Sequence, residues 1–376
     1  MKKILFIENR PDYGLGGIEN YNKKLIKILK HNFPNVIIDK CNLLNTFDDE
    51  HKDLNNNEFK STKYTNWISN IENPILFNLM IGFHLISFRK LVYQLVEQNH
   101  YNLIIDSTIT YFRKLKNNPN YYWVQHVTPE YYDFECMKNK FLRSITFLAS
   151  RLFGIRNPIK QNHNIIVYDK KNLEVAKILN PGINATDINL SYNVPNLDLK
   201  KEDIKNRKGI IYLGRINQEQ KNISFLNKIN KKLQIIDFYG AGNQKYTDKL
   251  GSFYKGAVEN NDVGTVISKY KYCILLSNYE GFSFSLVEAL SYGVPIIVLN
   301  TFCSASYLVD NNSNGLLINK NDSLLKIEQK IIDLLNISED KYFEFCKNAY
   351  RFAKQNLTDD IFNKKWLNIF NKYLKE

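Results

Sequence analysis

Ser277-Asn-Tyr-Glu-Gly-Phe-Ser-Phe-Ser-Leu-Val-Glu-Ala-Leu-Ser-Tyr-Gly-Val-Pro-Ile-Ile-Val-Leu299 is the most informative segment of the 376-residue chain. Its pattern predicts a buried strand that ends at Ser277, followed by a tight turn that carries Glu280 and Gly281. A short helix comes next and ends at Gly293, and a second apolar strand begins at Pro295. A strand, a helix and a second strand in this order predict part of an α/β sheet.

Two carboxylates, Glu280 and Glu288, flank the N-terminus of this predicted helix. The free N–H groups of a helix N-terminus can bind a phosphate or another anion. A carboxylate beside an anion site suits a sugar nucleotide, because its hydroxyl groups need acceptors while its diphosphate needs donors. Glu288 also has a structural alternative, since Ser285-Leu-Val-Glu288 matches a capping box in which the glutamate bonds the cap N–H. Glu280 has no such alternative.

Strand and helix patterns alternate through both halves of the chain, which predicts an α/β protein of two Rossmann-like, doubly wound domains facing across a cleft. We expect domains at 1–195 and 196–357, a C-terminal helix at 358–376, and a ligand between the domains at the carboxyl ends of the strands. Helices are also predicted at Ile18–Lys30 and Leu79–Val96, and a polar loop at His51–Lys63. The predicted strands are Lys3–Glu8, Asn35–Asp39, Asn102–Asp106, Tyr121–Gln125, Asn164–Tyr168, Lys208–Leu213, Gln234–Tyr239, Tyr272–Ser277, Val294–Leu299 and Gly315–Asn319.

The composition predicts a cytosolic protein without a metal or cofactor. Hydrophobic residues make up 44% of the chain, which is enough for two cores. The five cysteines are odd in number and scattered, as is typical of reduced thiols, and neither they nor the six histidines show metal-ligand spacing. We find no secretory or transmembrane pattern, because the apolar run Ile4–Ile7 is short and is followed at once by charges.

The net charge of +13 has two interpretations. It divides almost evenly between the halves, which favours a general surface bias, but it also suits anionic partners. Between residues 138 and 160 there is no acidic side chain, and basic residues alternate with apolar ones at near-helical spacing. Such a helix suits an anionic membrane surface, and a helix packed on its own domain would show the same pattern. We expect no nucleic-acid partner.

Glycines and cations follow two of the predicted strands. Gly16 and Gly17 lie between the first strand and the first helix, where backbone can approach a phosphate or a sugar, although any tight turn would also use glycine. Gly214-Arg215 follows a strand of the second half, and Lys221 lies where the next helix begins. Two cations at a strand end can neutralise a diphosphate, unless they are a solvated lysine and an arginine paired with an acid.

His126 ends the apolar strand Tyr121–Gln125 and precedes a proline turn. At the carboxyl end of a strand it could donate a hydrogen bond to a sugar hydroxyl or a phosphate oxygen. A single histidine at a strand end is also often structural, so both interpretations stay open.

In their order and spacing these residues resemble the retaining glycosyltransferases of family 4 (glycosyl transferases group 1), which share the GT-B fold. Tyr239-Gly240-Ala241-Gly242 also fits that pattern, as do the seven residues between Glu280 and Glu288. The resemblance covers nearly the entire chain and is more specific in the second half. It departs at Ser283, where the family often has glycine or proline.

The resemblance implies retaining transfer of a sugar, with a UDP-sugar as the expected donor. The implied acceptor is a hydroxyl of a cell-surface glycan or lipid-linked chain, such as a capsule, lipopolysaccharide or teichoic-type polymer. It also implies that no metal is needed, that 1–195 is the acceptor side and 196–357 the donor side, and that the C-terminal helix crosses back with Trp366 packed on the first domain. Two alternatives remain: a sugar-nucleotide epimerase of the same fold, and a non-catalytic GT-B partner protein.

By the same resemblance, Arg215 and Lys221 hold the donor diphosphate and Glu280 accepts from hydroxyls of the transferred sugar. Glu288 bonds the ribose, and His126 lies near the reacting sugar. His126 and Glu280 are thus the implied catalytic residues. The implied donor-binding residues are Gly16, Gly17, Arg215, Lys221, Gly281, Phe282, Ser283 and Glu288.

Overall fold

The computed structural model describes residues 1–8, 17–43, 57–60, 74–108, 112–126, 158–161, 164–216, 220–310 and 313–375, with the backbone alone for 57–60, 74–83, 158 and 161. The chain forms two compact units. The first comprises Met1–Ile188 and Asn363–Glu376, and the second comprises Asn189–Phe362. The boundary between the first and second units, at Ile188, therefore falls a few residues before the boundary expected at 195.

The first unit is built on a seven-stranded parallel sheet with helices between its strands. Its strands are β1 (Lys3–Glu8), β2 (Ile37–Asn42), β3 (Asn57–Lys60), β4 (Leu103–Asp106), β5 (Tyr121–Val124), β6 (Asn164–Val167) and β7 (Asn184–Asp187). Its helices are α1 (Gly17–Asn32), α2 (Pro74–Asn99), α3 (Pro158–Gln161) and α4 (Lys170–Leu179). The strand order is β3-β2-β1-β4-β5-β6-β7, so the chain builds outward from β1 and then outward from β4 on the other side.

Apolar runs explain the core of this unit. Ile4–Ile7 in β1 and Leu103–Ile105 in β4 are completely buried, as expected for central strands of a parallel sheet covered on both faces. Helix α1 has one buried face, on which Tyr21, Leu25 and Leu29 lie. Their spacing follows the helical period of 3.6 residues, as expected for a helix with one face in the core.

The second unit is built on a six-stranded parallel sheet of the same kind. Its strands are β8 (Ile210–Leu213), β9 (Ile236–Tyr239), β10 (Tyr254–Gly256), β11 (Tyr272–Leu275), β12 (Ile296–Asn300) and β13 (Gly315–Asn319). Its helices are α5 (Lys201–Lys205), α6 (Ile223–Leu233), α7 (Gln244–Thr247), α8 (Val263–Ile267), α9 (Phe284–Ser291), α10 (Ala305–Leu308), α11 (Leu324–Leu335) and α12 (Glu339–Asn356), with a 3-10 helix at Asp248–Phe253. The strand order is β10-β9-β8-β11-β12-β13. The predicted doubly wound α/β class is confirmed for both units.

The last helix, α13 (Asp359–Leu374), belongs to the first unit from Asn363 onward. Its Trp366 is completely buried, and the indole N–H donates to the hydroxyl of Tyr21 on α1 at 3.1 Å. Trp366 also stacks on Phe370, with ring centroids 5.4 Å apart. Aromatic packing therefore fixes the helix on the first unit.

Three short strands were not predicted, and all three lie at sheet edges. The predicted polar loop at His51–Lys63 is wrong at Asn57–Lys60, which pairs in parallel with Asp39–Asn42 as β3. The other two are β7 and β10, at the far edge of the first sheet and an edge of the second. An edge strand has one neighbour and one solvated side, so backbone pairing forms it without the apolar pattern that marks a central strand.

None of the helices in the described part of the chain is long and apolar enough to cross a membrane. Most of the basic segment 138–160 lies outside the described residues. Contact of this segment with a membrane surface therefore stays a prediction.

We expect Gly240→Ala to destabilise the second unit strongly. An added Cβ would lie 1.9 Å from the carbonyl oxygen of Gly214, and Gly240 already has a φ of +140°. The steric overlap adds to the roughly 1–3 kcal/mol of a strained backbone conformation. Gly251→Ala is the matched control, because Gly251 also has a positive φ, +55°, but no atom within 4 Å of the added Cβ. Calorimetric unfolding measures the stability of both variants. Equal losses of stability would contradict the close approach of Gly240 to the carbonyl oxygen of Gly214.

Candidate functional site

The predicted site residues of the second unit gather where its sheet reverses its winding. Strands β8 and β11 are neighbours, but the strands that follow them lie toward opposite edges of the sheet. The connections that leave their carboxyl ends diverge and open a crevice, which is the usual ligand position in an open α/β sheet. Gly214 and Arg215 directly follow β8, and Glu280 lies in the turn after β11.

The residue that follows Lys221 has a backbone in the left-handed conformation. Asn222, at φ 54° and ψ 38°, precedes the first turn of α6. Asparagine tolerates this conformation better than most residues, but it still costs about 1 kcal/mol. The side-chain amide of Asn222 donates to the carbonyl oxygen of Leu276 at 3.4 Å, which ties the loop after β8 to the end of β11. Such strain persists only where neighbouring contacts hold it in place.

Lys221 and Glu280 form a buried ion pair. Lys221 Nζ donates to Glu280 Oε1 at 2.5 Å, and the two side chains are only 11% and 7% exposed. A charge buried without a partner is costly, so each side chain keeps the other in the crevice. The sequence predicted both residues as members of the site, and the structure shows that they contact each other.

Gln220 joins this pair to Arg215. Its Oε1 accepts from Arg215 Nη2 at 3.0 Å, and its Nε2 donates to Glu280 Oε2 at 3.3 Å. Its carbonyl oxygen accepts from the N–H of Asn278 at 2.8 Å, so the two loops are also joined through the backbone. Sequence reasoning missed Gln220, because a single glutamine belongs to no motif. Its place beside Lys221 was the only signal.

The turn that carries Glu280 is held on both sides by the loop after β12. Ser304 Oγ donates to the carbonyl oxygen of Gly281 at 2.8 Å, and Thr301 Oγ1 donates to that of Ser277 at 2.6 Å. Phe282 is buried next to this turn. The backbone around Glu280 is therefore fixed without the help of its carboxylate, which stays available to the site.

Helix α9 begins at Phe284 after the cap residue Ser283, so the capping-box alternative for Glu288 is wrong. In a capping box the glutamate is the third residue after the cap, whereas Glu288 is in the second turn and too far along to reach back. The Ser283 hydroxyl makes no capping hydrogen bond and instead meets the Ser285 hydroxyl at 3.0 Å. The Ser283 side chain thus does not cap the first-turn amides, and amides without a capping side chain are what an anion site requires.

Glu288 is half-buried inside helix α9. Burial raises the pKa of its carboxyl to about 7, because the charged form loses solvation there. Carboxyls with raised pKa values occur more often at functional sites than elsewhere. Helix capping therefore does not explain Glu288.

Arg207 anchors the other end of α9. Its Nη1 donates to the carbonyl oxygen of Gly293 at 2.6 Å, and its Nη2 donates to that of Tyr292 at 2.9 Å. Gly293 has a φ of +62°, so the predicted end of the helix is confirmed. A cation is favourable at a helix C-terminus, and this one also satisfies carbonyl oxygens that lack helical partners. No sequence pattern pointed to Arg207.

The first unit holds the remaining predicted residues. Gly17 is the exposed first residue of α1, and Gly16 lies outside the described residues. His126 follows β5 at the carboxyl edge of the sheet, where its Nδ1 is hydrogen-bonded to the hydroxyl of Tyr168. Burial lowers the pKa of His126 to about 3, so the imidazole is neutral at physiological pH.

A polar cluster that the sequence did not reveal lies where the first sheet reverses its winding, between β1 and β4. Asn22 Nδ2 donates to Glu8 Oε1 at 2.8 Å, and Ser107 Oγ donates to Asn22 Oδ1 at 2.9 Å. Next to it, burial raises the pKa of Asp106 to about 7. In the part of the chain that the structure describes, no three His, Cys, Asp or Glu side chains could hold a metal ion.

Residues 196–352 match the family model described as glycosyl transferases group 1. The matched segment contains Arg215, Lys221, Glu280 and Glu288. The resemblance inferred from the sequence is therefore confirmed where its motifs are most specific.

Two curated proteins are similar to a short part of the chain. The poly(ribitol-phosphate) alpha-N-acetylglucosaminyltransferase of Staphylococcus aureus (strain COL) is 28% identical over 105 residues, which are 28% of this chain and 21% of that protein. The poly(glycerol-phosphate) alpha-glucosyltransferase of Bacillus subtilis (strain 168) is 32% identical over 103 residues, which are 27% of this chain and 15% of that protein. The chain thus spans about a fifth or less of the length of either relative.

Solved structures are similar along nearly the whole chain. Sucrose-phosphate synthase from Thermosynechococcus elongatus has a TM-score of 0.72 and 14% identity, with 99% of both chains covered. A mutant of TarM from S. aureus, in complex with fondaparinux, alpha-GlcNAc-glycerol and UDP, has a TM-score of 0.66 and 15% identity, with 99% of this chain and 100% of that chain covered. At such low identity the likeness shows the fold alone, and the predicted GT-B fold is confirmed.

We expect Lys221→Met to lower the free energy of unfolding by about 3–5 kcal/mol, because it leaves the buried Glu280 carboxylate without its cation. The double variant Lys221→Met/Glu280→Gln should recover much of that loss, since no unpaired charge remains. Lys171→Met is the control, because its ion pair with Glu174 is at least half exposed and contributes less than about 1 kcal/mol. Calorimetric unfolding of all the variants measures the coupling. A double variant no more stable than Lys221→Met would show that the two charges are not coupled.

Proposed function

We propose that the chain is a glycosyltransferase that moves a sugar from a nucleotide-sugar donor to a hydroxyl group of a glycan or lipid-linked acceptor. The observation that carries this proposal is the hydrogen-bonded cluster of Arg215, Gln220, Lys221 and Glu280 at the carboxyl edge of the second sheet. Two cations and a carboxylate in one cluster match the diphosphate and the sugar hydroxyls of such a donor. The match of residues 196–352 to the glycosyl transferases group 1 model supports the same activity.

The donor diphosphate would bind between Arg215, Lys221 and the first-turn amides of α9. An ammonium group has three N–H donors, so Lys221 can keep its bond to Glu280 and still contact a phosphate oxygen. Glu280 keeps acceptor capacity for the hydroxyls of the sugar. Glu288, which the capping hypothesis no longer explains, is the proposed acceptor for the ribose hydroxyls.

The transfer itself is proposed to retain the anomeric configuration. The bond between the anomeric carbon and the diphosphate oxygen breaks, and a bond to the acceptor oxygen forms on the same face of the sugar. The acceptor proton passes to the leaving diphosphate oxygen. Positive charge grows on the sugar ring and negative charge on the diphosphate, so the fixed cations and helix amides stabilise the transition state more than the ground state.

UDP-sugars are the proposed donors, and teichoic-type polymers are the favoured acceptors. UDP is present in the solved TarM structure, and the two curated relatives are named for N-acetylglucosaminyl and glucosyl transfer to polyol-phosphate polymers. A net charge of +13 suits an anionic acceptor of that kind. UDP-N-acetylglucosamine and UDP-glucose are therefore the first donors to test.

We expect Lys221→Gln and Glu280→Gln each to lower donor turnover at least about tenfold, because each removes a charge that acts on the breaking bond. Slow hydrolysis of UDP-N-acetylglucosamine and UDP-glucose, followed by mass spectrometry, needs no known acceptor. Lys228→Gln is the matched control, since Lys228 is an exposed residue of α6 outside the cluster. Turnover close to that of the wild type in either site variant would refute the assignment. Interconversion of free donors without hydrolysis would instead indicate an epimerase.

We expect the affinity for UDP to rise between pH 6 and pH 8 through Glu288. Its raised pKa of about 7 leaves the carboxyl mostly protonated at the lower pH, and the ionised form accepts hydrogen bonds from ribose more strongly. Glu288→Gln should remove this part of the rise. Isothermal titration calorimetry at both pH values measures the affinity of the wild type and of Glu288→Gln. The ionisation of UDP itself affects both proteins equally, so it cancels when the two are compared. If the UDP affinities of the wild type and of Glu288→Gln changed equally with pH, Glu288 would not contact the nucleotide.

The same shift predicts a pH dependence of stability in the unliganded protein. The folded state binds the Glu288 proton more tightly than the unfolded state does, so this contribution is complete below about pH 4.5 and is lost as the pH rises through about 7. Glu288→Gln should flatten that part of the stability curve, whether or not the nucleotide binds.

A further inference from the structure

The imidazole of His126 is held in an aromatic pocket of the first unit. Tyr21 from α1 meets it edge-on, with ring centroids 5.3 Å apart and an angle of 85° between the rings. The Tyr21 hydroxyl in turn accepts from the indole N–H of Trp366 on α13. The C-terminal helix therefore supports the wall against which His126 packs.

Within the described residues, one of the two ring nitrogens has a hydrogen-bond partner and the other has none. Nδ1 is bonded to the hydroxyl of Tyr168, which directly follows β6, the strand next to β5. Nε2 is shielded from solvent and has no partner in the part of the chain that the structure describes. A buried polar nitrogen left unpaired costs about 1–3 kcal/mol, so its persistence at a strand end points to a ligand that pairs with it.

The bond to Tyr168 determines what Nε2 can offer. A neutral imidazole carries its proton on one nitrogen only, so one nitrogen donates and the other accepts. A phenol O–H is a much stronger acid than the N–H of neutral imidazole, and imidazole nitrogen is the better acceptor. The favoured arrangement therefore has the Tyr168 hydroxyl donating to Nδ1, which leaves the proton on Nε2.

We propose that Tyr168 is a positioning residue that donates to Nδ1 of His126 and so keeps the neutral ring in the tautomer with a hydrogen on Nε2. His126 can then donate a hydrogen bond to an oxygen of the sugar or the phosphate and cannot accept one through Nε2. The tautomer follows from the hydrogen bond to Tyr168 and the greater acidity of the phenol, whereas the role of the Nε2 hydrogen rests on the proposed function. Tyr168 thus determines the direction of the hydrogen bond, and Tyr21 with Trp366 determines where the ring lies.

The tautomer can be measured in full-length protein labelled with 15N-histidine, because protonated and unprotonated ring nitrogens differ widely in chemical shift. His126→Gln identifies the signals of His126 among those of the six histidines. We expect the wild type to carry its hydrogen on Nε2 and to accept on Nδ1. In Tyr168→Phe the ring packing stays but the donor is lost, so the signals should move toward a mixture of the two tautomers.

Tyr122→Phe is the matched control, because Tyr122 lies in the same sheet and its hydroxyl instead meets that of Tyr373 at 3.2 Å. This substitution should leave the His126 signals unchanged. A wild-type ring with its hydrogen on Nδ1, or the same tautomer in Tyr168→Phe as in the wild type, would overturn the proposal. Should Tyr168→Phe fail to fold, the tautomer of His126 in the wild type alone decides whether the proposal holds.

Donor turnover provides the second measurement. We expect Tyr168→Phe to lower kcat about tenfold with little change in KM, because the ring stays in place but donates for only part of the time. A tautomer shift with unchanged kcat would overturn the link to catalysis. The two failures are distinguishable: a protein without any donor turnover contradicts the proposed function, while its 15N signals still decide the role of Tyr168.

Discussion

Each sheet of this chain is entirely parallel and reverses its winding once, and this constraint places the functional groups of both units. Parallel strands end on the same edge, so turns that are distant in sequence come together there. In the second unit the reversal lies between β8 and β11, where Arg215 and Glu280 meet through Gln220. In the first unit it lies between β1 and β4, where Glu8 and Ser107 meet through Asn22. A side-chain amide joins the two strand ends in both cases.

The electrostatics of the second unit follow from the cost of burying charge. Lys221 and Glu280 are both buried in the crevice, and each is the ion-pair partner of the other. Glu288 is half-buried inside helix α9, and burial raises the pKa of its carboxyl to about 7. Arg207 is buried too, and carbonyl oxygens at the end of α9 accept its hydrogen bonds. These arrangements keep the first turn of α9 and the nearby cations in fixed positions, as stabilisation of a diphosphate requires.

Much of the fold could be predicted because central strands and long helices carry strong local patterns. The central strand β1 was predicted to the residue, and so was β13, an edge strand that carries the apolar run Leu316–Ile318. Helix α9 with its end at Gly293 follows from turn chemistry. The edge strands β3, β7 and β10 were missed, since strands with one neighbour need no apolar run. The capping box at Ser285 failed for a different reason: helix α9 begins two residues earlier than that motif requires. A motif of four residues cannot by itself determine where the helix starts, because contacts outside the motif also affect the helix start.

Local sequence established which residues stand at strand ends, because periodicity and turn chemistry act over a few neighbouring residues. It identified Arg215, Lys221, Glu280 and His126 as candidates, but not their partners. The folded chain alone established the pairs, which join residues far apart: Lys221 and Glu280 are 59 positions apart, His126 and Tyr168 are 42, and Trp366 and Tyr21 are 345. Each pair forms because burial removes water from a polar group and another must replace it. Which group is near enough to do so depends on sheet order, and no local pattern encodes that.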